Sequence, residues 1–149
     1  MKVYFVFEIK DEFVNLYYEN GRILFNILRQ IYYLNNREVT YGYSLFRQLT
    51  NFLDKSSLNR KIYLDYHKNI SYTKMGDKHI INNLYKDEVS KMIIKNAYIM
   101  IRIESGNSSF FNVIRKYSNN YFACDFKRGD YFFLTERKSY NYKLSYYYS

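Results

Sequence analysis

A nearly unbroken apolar run close to the N-terminus constrains the fold more than any other part of this sequence. Residues 3–9 read Val-Tyr-Phe-Val-Phe-Glu-Ile, in which the only charged residue is Glu8. A strand with one face in solvent alternates apolar and polar residues, whereas a strand buried on both faces is apolar throughout. The run therefore predicts a strand in the interior of a β-sheet, with other elements packed on both of its faces.

A helix is predicted directly after this strand, with almost no loop between them. The polar residues 10–12, Lys-Asp-Glu, end the apolar run. Asp11 is of a type that caps helix N-termini, and Glu12 is favourable in the first turn because it faces the positive end of the helix dipole. The strand and this helix together form the predicted centre of the fold.

The first helix carries two aromatic residues whose orientation the pattern leaves open. Phe13 and Tyr17 are four residues apart and therefore share one face. In one orientation this pair is exposed, and in the other it packs inward while Val14 and Tyr18 face solvent. The two orientations have opposite consequences, because only the first leaves an aromatic surface for a partner.

The rest of the chain is predicted from hydrophobic periodicity and turn residues. Helical spacing predicts further helices from about residue 22, over residues 41–53 and over about 109–118. Residues 78–85 are ambiguous between strand and helix, and a strand is favoured. Strands are predicted at residues 62–66, 70–74, 91–95, 98–104, 121–126 and 131–135, and the last two are expected to pair as a hairpin across the turn at residues 127–130.

This order of elements predicts an α+β fold. We expect a single domain over residues 1–138, with a largely antiparallel β-sheet and three to four helices packed on it. The 149 residues, 48% of them hydrophobic, suffice for one ordinary core. Residues 139–149 are Tyr-rich and are assigned to a separate C-terminal tail.

The basic and aromatic composition allows one alternative function, single-stranded nucleic-acid binding. The chain has 23 basic against 14 acidic residues, with 20 Tyr and 12 Phe that could stack on bases. The basic residues are scattered along the sequence, however, and most have an acidic neighbour, as Arg128 has in Asp130. An excess of Lys, Asn, Ile, Tyr and Phe without Pro or Trp is also typical of AT-rich coding sequences. Composition alone therefore does not establish this alternative.

The sequence contains no pattern typical of a catalytic or metal site. Its two histidines, His67 and His79, and its single cysteine, Cys124, lack zinc-ligand spacing, and every glycine is solitary. We predict that the protein is not an enzyme and has no cofactor, metal or small-molecule substrate. No run approaches the ~18 apolar residues of a membrane helix, and no secretory signal pattern is present, so we expect no membrane association and a cytoplasmic location.

A chain without a catalytic pattern is better interpreted as a binding protein. Large aromatic residues dominate the centres of protein interfaces, because they bury much area for little lost side-chain freedom. Residues 23–31 already supply an apolar helical stripe for the core. The Phe13 and Tyr17 face is therefore the first candidate for a partner-binding surface.

Three stretches, in the same order, resemble one known family. They are residues 10–17 (KDEFVNLY), 110–116 (FFNVIRK) and 122–126 (FACDF). Together they are similar to the sporulation inhibitor of replication family, SirA, over most of the chain. The resemblance implies a non-enzymatic protein that binds the N-terminal domain of the replication initiator DnaA and blocks its action at the chromosomal origin during sporulation.

The resemblance also implies which residues make the contact. The family's acid-Phe-x-x-x-Tyr face corresponds to Phe13 and Tyr17 in this chain, which favours their exposure. The third helix supplies a second part of the family's surface, for which Tyr43, Phe46 and Gln48 are the positional matches. DnaA is accordingly the expected partner, with no direct nucleic-acid contact.

Overall fold

The computed structural model describes residues 1–34 and 39–136 of the chain. Its elements follow one another in the order β1 (Lys2–Ile9), α1 (Asp11–Tyr17), a 3-10 turn (Tyr18–Asn20), α2 (Gly21–Tyr32), α3 (Val39–Leu49), β2 (Thr50–Asn51), α4 (Lys55–Tyr66), β3 (Tyr72–Met75), β4 (Lys78–Asn83), β5 (Glu88–Ile94), β6 (Ile99–Ser105), α5 (Phe110–Ile114), β7 (Tyr121–Asp125) and β8 (Asp130–Phe133).

The strands form one antiparallel sheet in the order β3-β4-β5-β6-β1-β7-β8, with β2 paired to the end of β1. The α+β prediction is confirmed, and the fold is a single domain. As predicted, β1 lies in the interior of the sheet, between β6 and β7. The terminal hairpin of β7 and β8 and the strand at residues 78–83 are also confirmed.

Helices cover the sheet on both faces. On one face, α4 and α5 pack on alternate residues of β1, β4, β5, β6 and β7; the helical residues are Leu58, Ile62, Tyr66, Phe110 and Ile114. On the other, α1, α2 and α3 pack on β1 and β7 through Val14, Leu24, Phe25, Leu28 and Leu49. Adjacent β1 residues take part in the two cores, Val6 in the first and Phe7 in the second. The unbroken apolar run is explained by this double burial.

The strand predicted over residues 62–66 is wrong, because this segment is the second half of α4. The helix starts at a side-chain cap, in which Asp54 accepts a hydrogen bond from the Ser57 backbone N–H at 3.2 Å. Leu58, Ile62 and Tyr66, four residues apart, are all buried against the sheet. The tertiary contacts of this helical stripe outweigh a local alternation that also fits a strand.

The start of α1 differs from the prediction by one residue. Lys10 occupies the cap position without a side-chain hydrogen bond, and Asp11 is the first helical residue. The Asp11 carboxylate instead accepts a hydrogen bond from the side-chain amide of Asn120, just before β7. The predicted tail, residues 139–149, lies outside the described residues, and the boundary at residue 138 stays a prediction.

A buried histidine joins the hairpin of β3 and β4 to α4. His79 is fully buried, its Nδ1 accepts a hydrogen bond from the Tyr72 hydroxyl at 2.7 Å, and its Nε2–H donates to the Asn59 side-chain oxygen at 2.7 Å. Burial lowers the pKa of His79 to about 4, with a smaller contribution from the charge of Lys74. The folded state therefore holds this imidazole neutral.

Because the folded state holds His79 neutral, we predict that the protein loses stability in mild acid. A histidine in the unfolded chain has a pKa of about 6.5, so between that pH and about 4 the unfolded state binds a proton that the folded state does not. Above pH 6.5 this difference in proton binding has no effect on the free energy of unfolding. By pH 5 we expect it to have lowered the free energy of unfolding by on the order of 2 kcal/mol. Urea unfolding at pH 7 and pH 5 measures it.

His79→Gln and His67→Gln separate this effect from the rest of the acid response. His67 is exposed, so His67→Gln should keep the wild-type difference between the two pH values. His79→Gln should reduce that difference even if it lowers stability at both. A wild-type pH difference in His79→Gln would contradict the assignment.

Candidate partner-binding site

The start of α1 is fixed by backbone hydrogen bonds to two other parts of the fold. The Lys10 N–H donates to the carbonyl of Leu49 at the end of α3 at 2.9 Å. The Ile9 N–H donates to the carbonyl of Asn120 at 3.0 Å. The first turn of α1 and the last turn of α3 therefore lie side by side, at the end of β1.

Phe13 and Tyr17 form a stacked pair at the edge of the second core. Their ring centroids are 6.5 Å apart and their planes differ by 11°. Both side chains are half-buried, and both pack on the core beneath α1. One side of each residue is thus supported by protein, while the remainder is open to solvent.

The opposite orientation of α1 is wrong in placing Val14 in solvent, although Phe13 and Tyr17 do pack partly on the core. Val14 has no solvent exposure, and Tyr18 is half-buried with its ring 5.1 Å from that of Phe133. Val14 is the residue of α1 that enters the core, so the neighbouring face must carry Phe13 and Tyr17. The partial exposure of the pair follows from the position of Val14.

Acidic residues surround the beginning of α1. Asp11 and Glu12 are exposed in its first turn, where they also interact favourably with the helix dipole. Glu8, at the end of β1, is half-buried; burial raises its pKa, a hydrogen bond from Asn51 opposes the shift, and the charge of Asp11 adds to it. The first turn of α1, next to the aromatic pair, is therefore negatively charged, while Lys10 precedes it and Arg47 lies in the last turn of α3.

The three candidates on α3 have different environments. Tyr43 is 57% exposed and Gln48 is exposed, but Phe46 is half-buried and meets Phe7 edge-on with ring centroids 5.5 Å apart. Gln48 directly precedes Leu49, whose carbonyl binds the start of α1. Tyr43 lies six residues before Leu49, roughly 9 Å further along the helix axis. The backbone thus brings Gln48 beside α1 and leaves Tyr43 more distant.

Two exposed apolar residues were not singled out by the sequence. Leu16 on α1 is 59% exposed and Ile23 on α2 is 50% exposed. Ile23 was assigned to the core stripe, and that assignment is wrong: Leu24, Phe25 and Leu28 are the buried residues of α2. The core-facing side of α2 is rotated toward Phe25, whose ring stacks on Tyr131 at 5.0 Å. The contact with β8 was not visible in the helical periodicity.

The chemistry of the single cysteine is also set by the core. Cys124 is fully buried, and burial raises the pKa of its thiol well above the ordinary value. It is therefore held as a neutral, apolar side chain. Among the residues that the structure describes, no group of three or more His, Cys, Asp or Glu side chains could hold a metal ion. Over the same ranges, no helix has both the length and the apolar content needed to cross a membrane.

The different burial of neighbouring α1 residues predicts different effects on stability. Val14→Ala removes two methyl groups from the core, so we expect it to lower the free energy of unfolding by about 2 kcal/mol. Tyr17→Ala should cost no more than Val14→Ala, about 2 kcal/mol or less, because the half-buried Tyr17 ring packs at the edge of the core rather than inside it. Urea unfolding of both variants measures this. A greater loss for Tyr17→Ala would make Tyr17 a core residue.

Comparison with known proteins identifies the family. The model of the family described as sporulation inhibitor of replication protein SirA matches residues 2–138. No curated protein matches the chain. The matched region includes β1, α1, α3 and the hairpin of β7 and β8, and thus every residue of the candidate site. The chain belongs to the SirA family of sporulation inhibitors of replication.

Proposed function

We propose that this protein inhibits the initiation of DNA replication by binding the N-terminal domain of DnaA. The binding surface is centred on the Phe13 and Tyr17 pair of α1, and α3 contributes Tyr43, Phe46 and Gln48. The observation that carries the proposal is the stacked, half-buried aromatic pair beside the last turn of α3, in a chain of the SirA family. DnaA acts in the cytoplasm, and we place this protein there as a regulator without enzymatic activity.

The aromatic pair suits a binding site because it is already ordered. Phe13 and Tyr17 stack on each other and rest on the core around Val14. Ordering a free side chain on binding costs about 0.5–1.5 kcal/mol, and much of that cost is avoided here. The Tyr17 hydroxyl adds a polar atom that can form a hydrogen bond at the rim of a hydrophobic contact.

Charge limits the kind of surface that can meet this site. Asp11 and Glu12 are exposed beside the pair, so the complementary surface of the partner should be neutral or basic. Exposed charges of this kind contribute more to the association rate than to affinity. We therefore expect the complex to depend mainly on the apolar contact of Phe13 and Tyr17 and to be only moderately sensitive to salt.

The three α3 residues have separate roles in this proposal. Gln48 offers a donor and an acceptor at the edge of the aromatic contact. Phe46 packs on Phe7 and so anchors α3 to the core beneath the proposed surface. Tyr43 is exposed further along α3 and reaches a partner that extends beyond α1. The mechanism is occlusion: the bound protein covers the face of the DnaA domain that associates with other replication proteins.

Titration of the full chain against the host's DnaA N-terminal domain tests the proposal. Tyr17→Ala should raise Kd about thirty-fold, the equivalent of about 2 kcal/mol for one interface anchor. Isothermal calorimetry measures both the affinity and the stoichiometry of the complex. Circular dichroism of the variant controls for loss of fold.

Tyr85→Ala is the matched control. Tyr85 is 97% exposed in the turn between β4 and β5. This turn precedes β5, and β5 is parallel to β1 because both are antiparallel to β6. Tyr85 therefore lies at the opposite end of the sheet from α1, and its loss should leave Kd unchanged. Absence of binding in the wild type, or an equal loss in both variants, would refute the proposal.

A further inference from the structure

Within residues 1–34 and 39–136, part of one sheet face is not covered by the helices on that side. Where α1, α2 and α3 pack, the buried sheet residues come from β1, β7 and the turn after β7. On β5 and β6, alternate residues are buried on the other face, such as Met92 and Ile101. The residues between them, Lys91, Met100 and Arg102, are half-buried or exposed. This open face is formed by β4, β5, β6 and the start of β1.

Two positive charges lie directly opposite each other on the open face. Lys91 on β5 is the cross-strand partner of Arg102 on β6. Like charges in this position are destabilising unless an anion lies between them. The ion pairs found among residues 1–34 and 39–136 join Lys55 to Asp77 and Lys116 to Asp65, all four being residues remote from this pair. The exposed Glu104 lies two residues from Arg102 on the same face of β6, but among the described residues no ion pair joins it to Arg102 or Lys91.

Two more cations extend the open face beyond β1. Arg102 lines a groove of about 400 Å³ together with Lys127 and Arg128, from the turn between β7 and β8, and with one acidic residue, Asp125. The Asp130 carboxylate, an acidic neighbour of Arg128 in sequence, accepts a hydrogen bond from the Tyr4 hydroxyl. Asp125 accepts one from the Arg128 backbone N–H at 3.1 Å. Cations from three distant segments therefore converge, which the linear sequence does not reveal.

Aromatic rings lie next to these cations. Phe5, Tyr32 and Phe126 line the same groove, and the rings of Tyr32 and Phe126 stack with centroids 4.7 Å apart. Tyr32 is 47% exposed, and Tyr33 meets it edge-on at 4.9 Å and is 56% exposed. A cationic groove flanked by accessible aromatic rings is the combination by which proteins bind single-stranded nucleic acids, with phosphates on the cations and bases stacked on the rings.

We propose that this open face binds single-stranded nucleic acid without sequence preference. Lys91, Arg102, Lys127 and Arg128 contact phosphates, and Tyr32 with Tyr33 offers stacking surfaces for bases. The open face extends over three inter-strand spacings, from β5 across β6 and β1 to β7. This width of roughly 14 Å accommodates several nucleotides. The face is distinct from the α1 surface: Arg102 pairs with Val3 at the start of β1, and α1 follows the end of β1, roughly 20 Å away.

Fluorescence anisotropy with a labelled 20-nucleotide oligothymidine tests the proposal on the full chain. Four phosphate contacts predict a slope of log K against log salt near −2.8, so the affinity should fall roughly fifty-fold between 50 and 200 mM salt. The double variant Lys91→Ala/Arg102→Ala should bind at least roughly ten-fold more weakly at 50 mM, with a slope reduced by about 1.4.

The control variant carries the same change of charge on the opposite face. Arg60 and Lys61 are exposed on α4, so Arg60→Ala/Lys61→Ala should keep the wild-type slope. Equal weakening of both double variants would overturn the proposal in favour of diffuse attraction, and no binding at 50 mM would also overturn it. Displacement of the oligonucleotide by polyglutamate as effectively as by unlabelled oligothymidine at equal charge would overturn it in favour of an acidic protein partner.

Discussion

The fold depends on the burial of β1 on both of its faces. Val6 and Phe7 are adjacent on this strand but belong to two separate cores, so β1 contributes side chains to both. The end of β1 then determines the position of α1, since Ile9 and Lys10 are held by Asn120 and Leu49. The candidate site is therefore placed by rigid secondary structure rather than by a loop, and its position follows from the packing of the central strand.

Sequence reasoning was most successful where one local signal dominated. The apolar run identified β1 as central, and the turn at residues 127–130 identified the last hairpin. It failed for α4, where the burial of Leu58, Ile62 and Tyr66 is decided by the sheet, and for Ile23, whose exposure depends on how α2 meets β8. The orientation of Phe13 and Tyr17 was open by periodicity alone, because only the core contact of Val14 distinguishes the two faces of so short a helix.

The charges of the molecule are separated along β1. Asp11 and Glu12 lie at the end where α1 begins, whereas Arg102 lies across from the start of the strand, near Lys127 and Arg128. No periodicity could predict this cluster, since its members are brought together by strand pairing. The two proposed surfaces thus differ in charge and position, so a protein partner at α1 and an anionic strand on the open face would not compete for the same residues.

Hydrogen–deuterium exchange of the full chain, with and without the DnaA N-terminal domain, tests whether DnaA binds at α1 and the end of α3. It reports the contacted elements without any substitution. On binding, we expect slower exchange in α1 and in residues 43–49 of α3, with β4, β5 and β6 unchanged. Protection confined to β4, β5 and β6, or a complex that leaves α1 unprotected, would contradict this expectation.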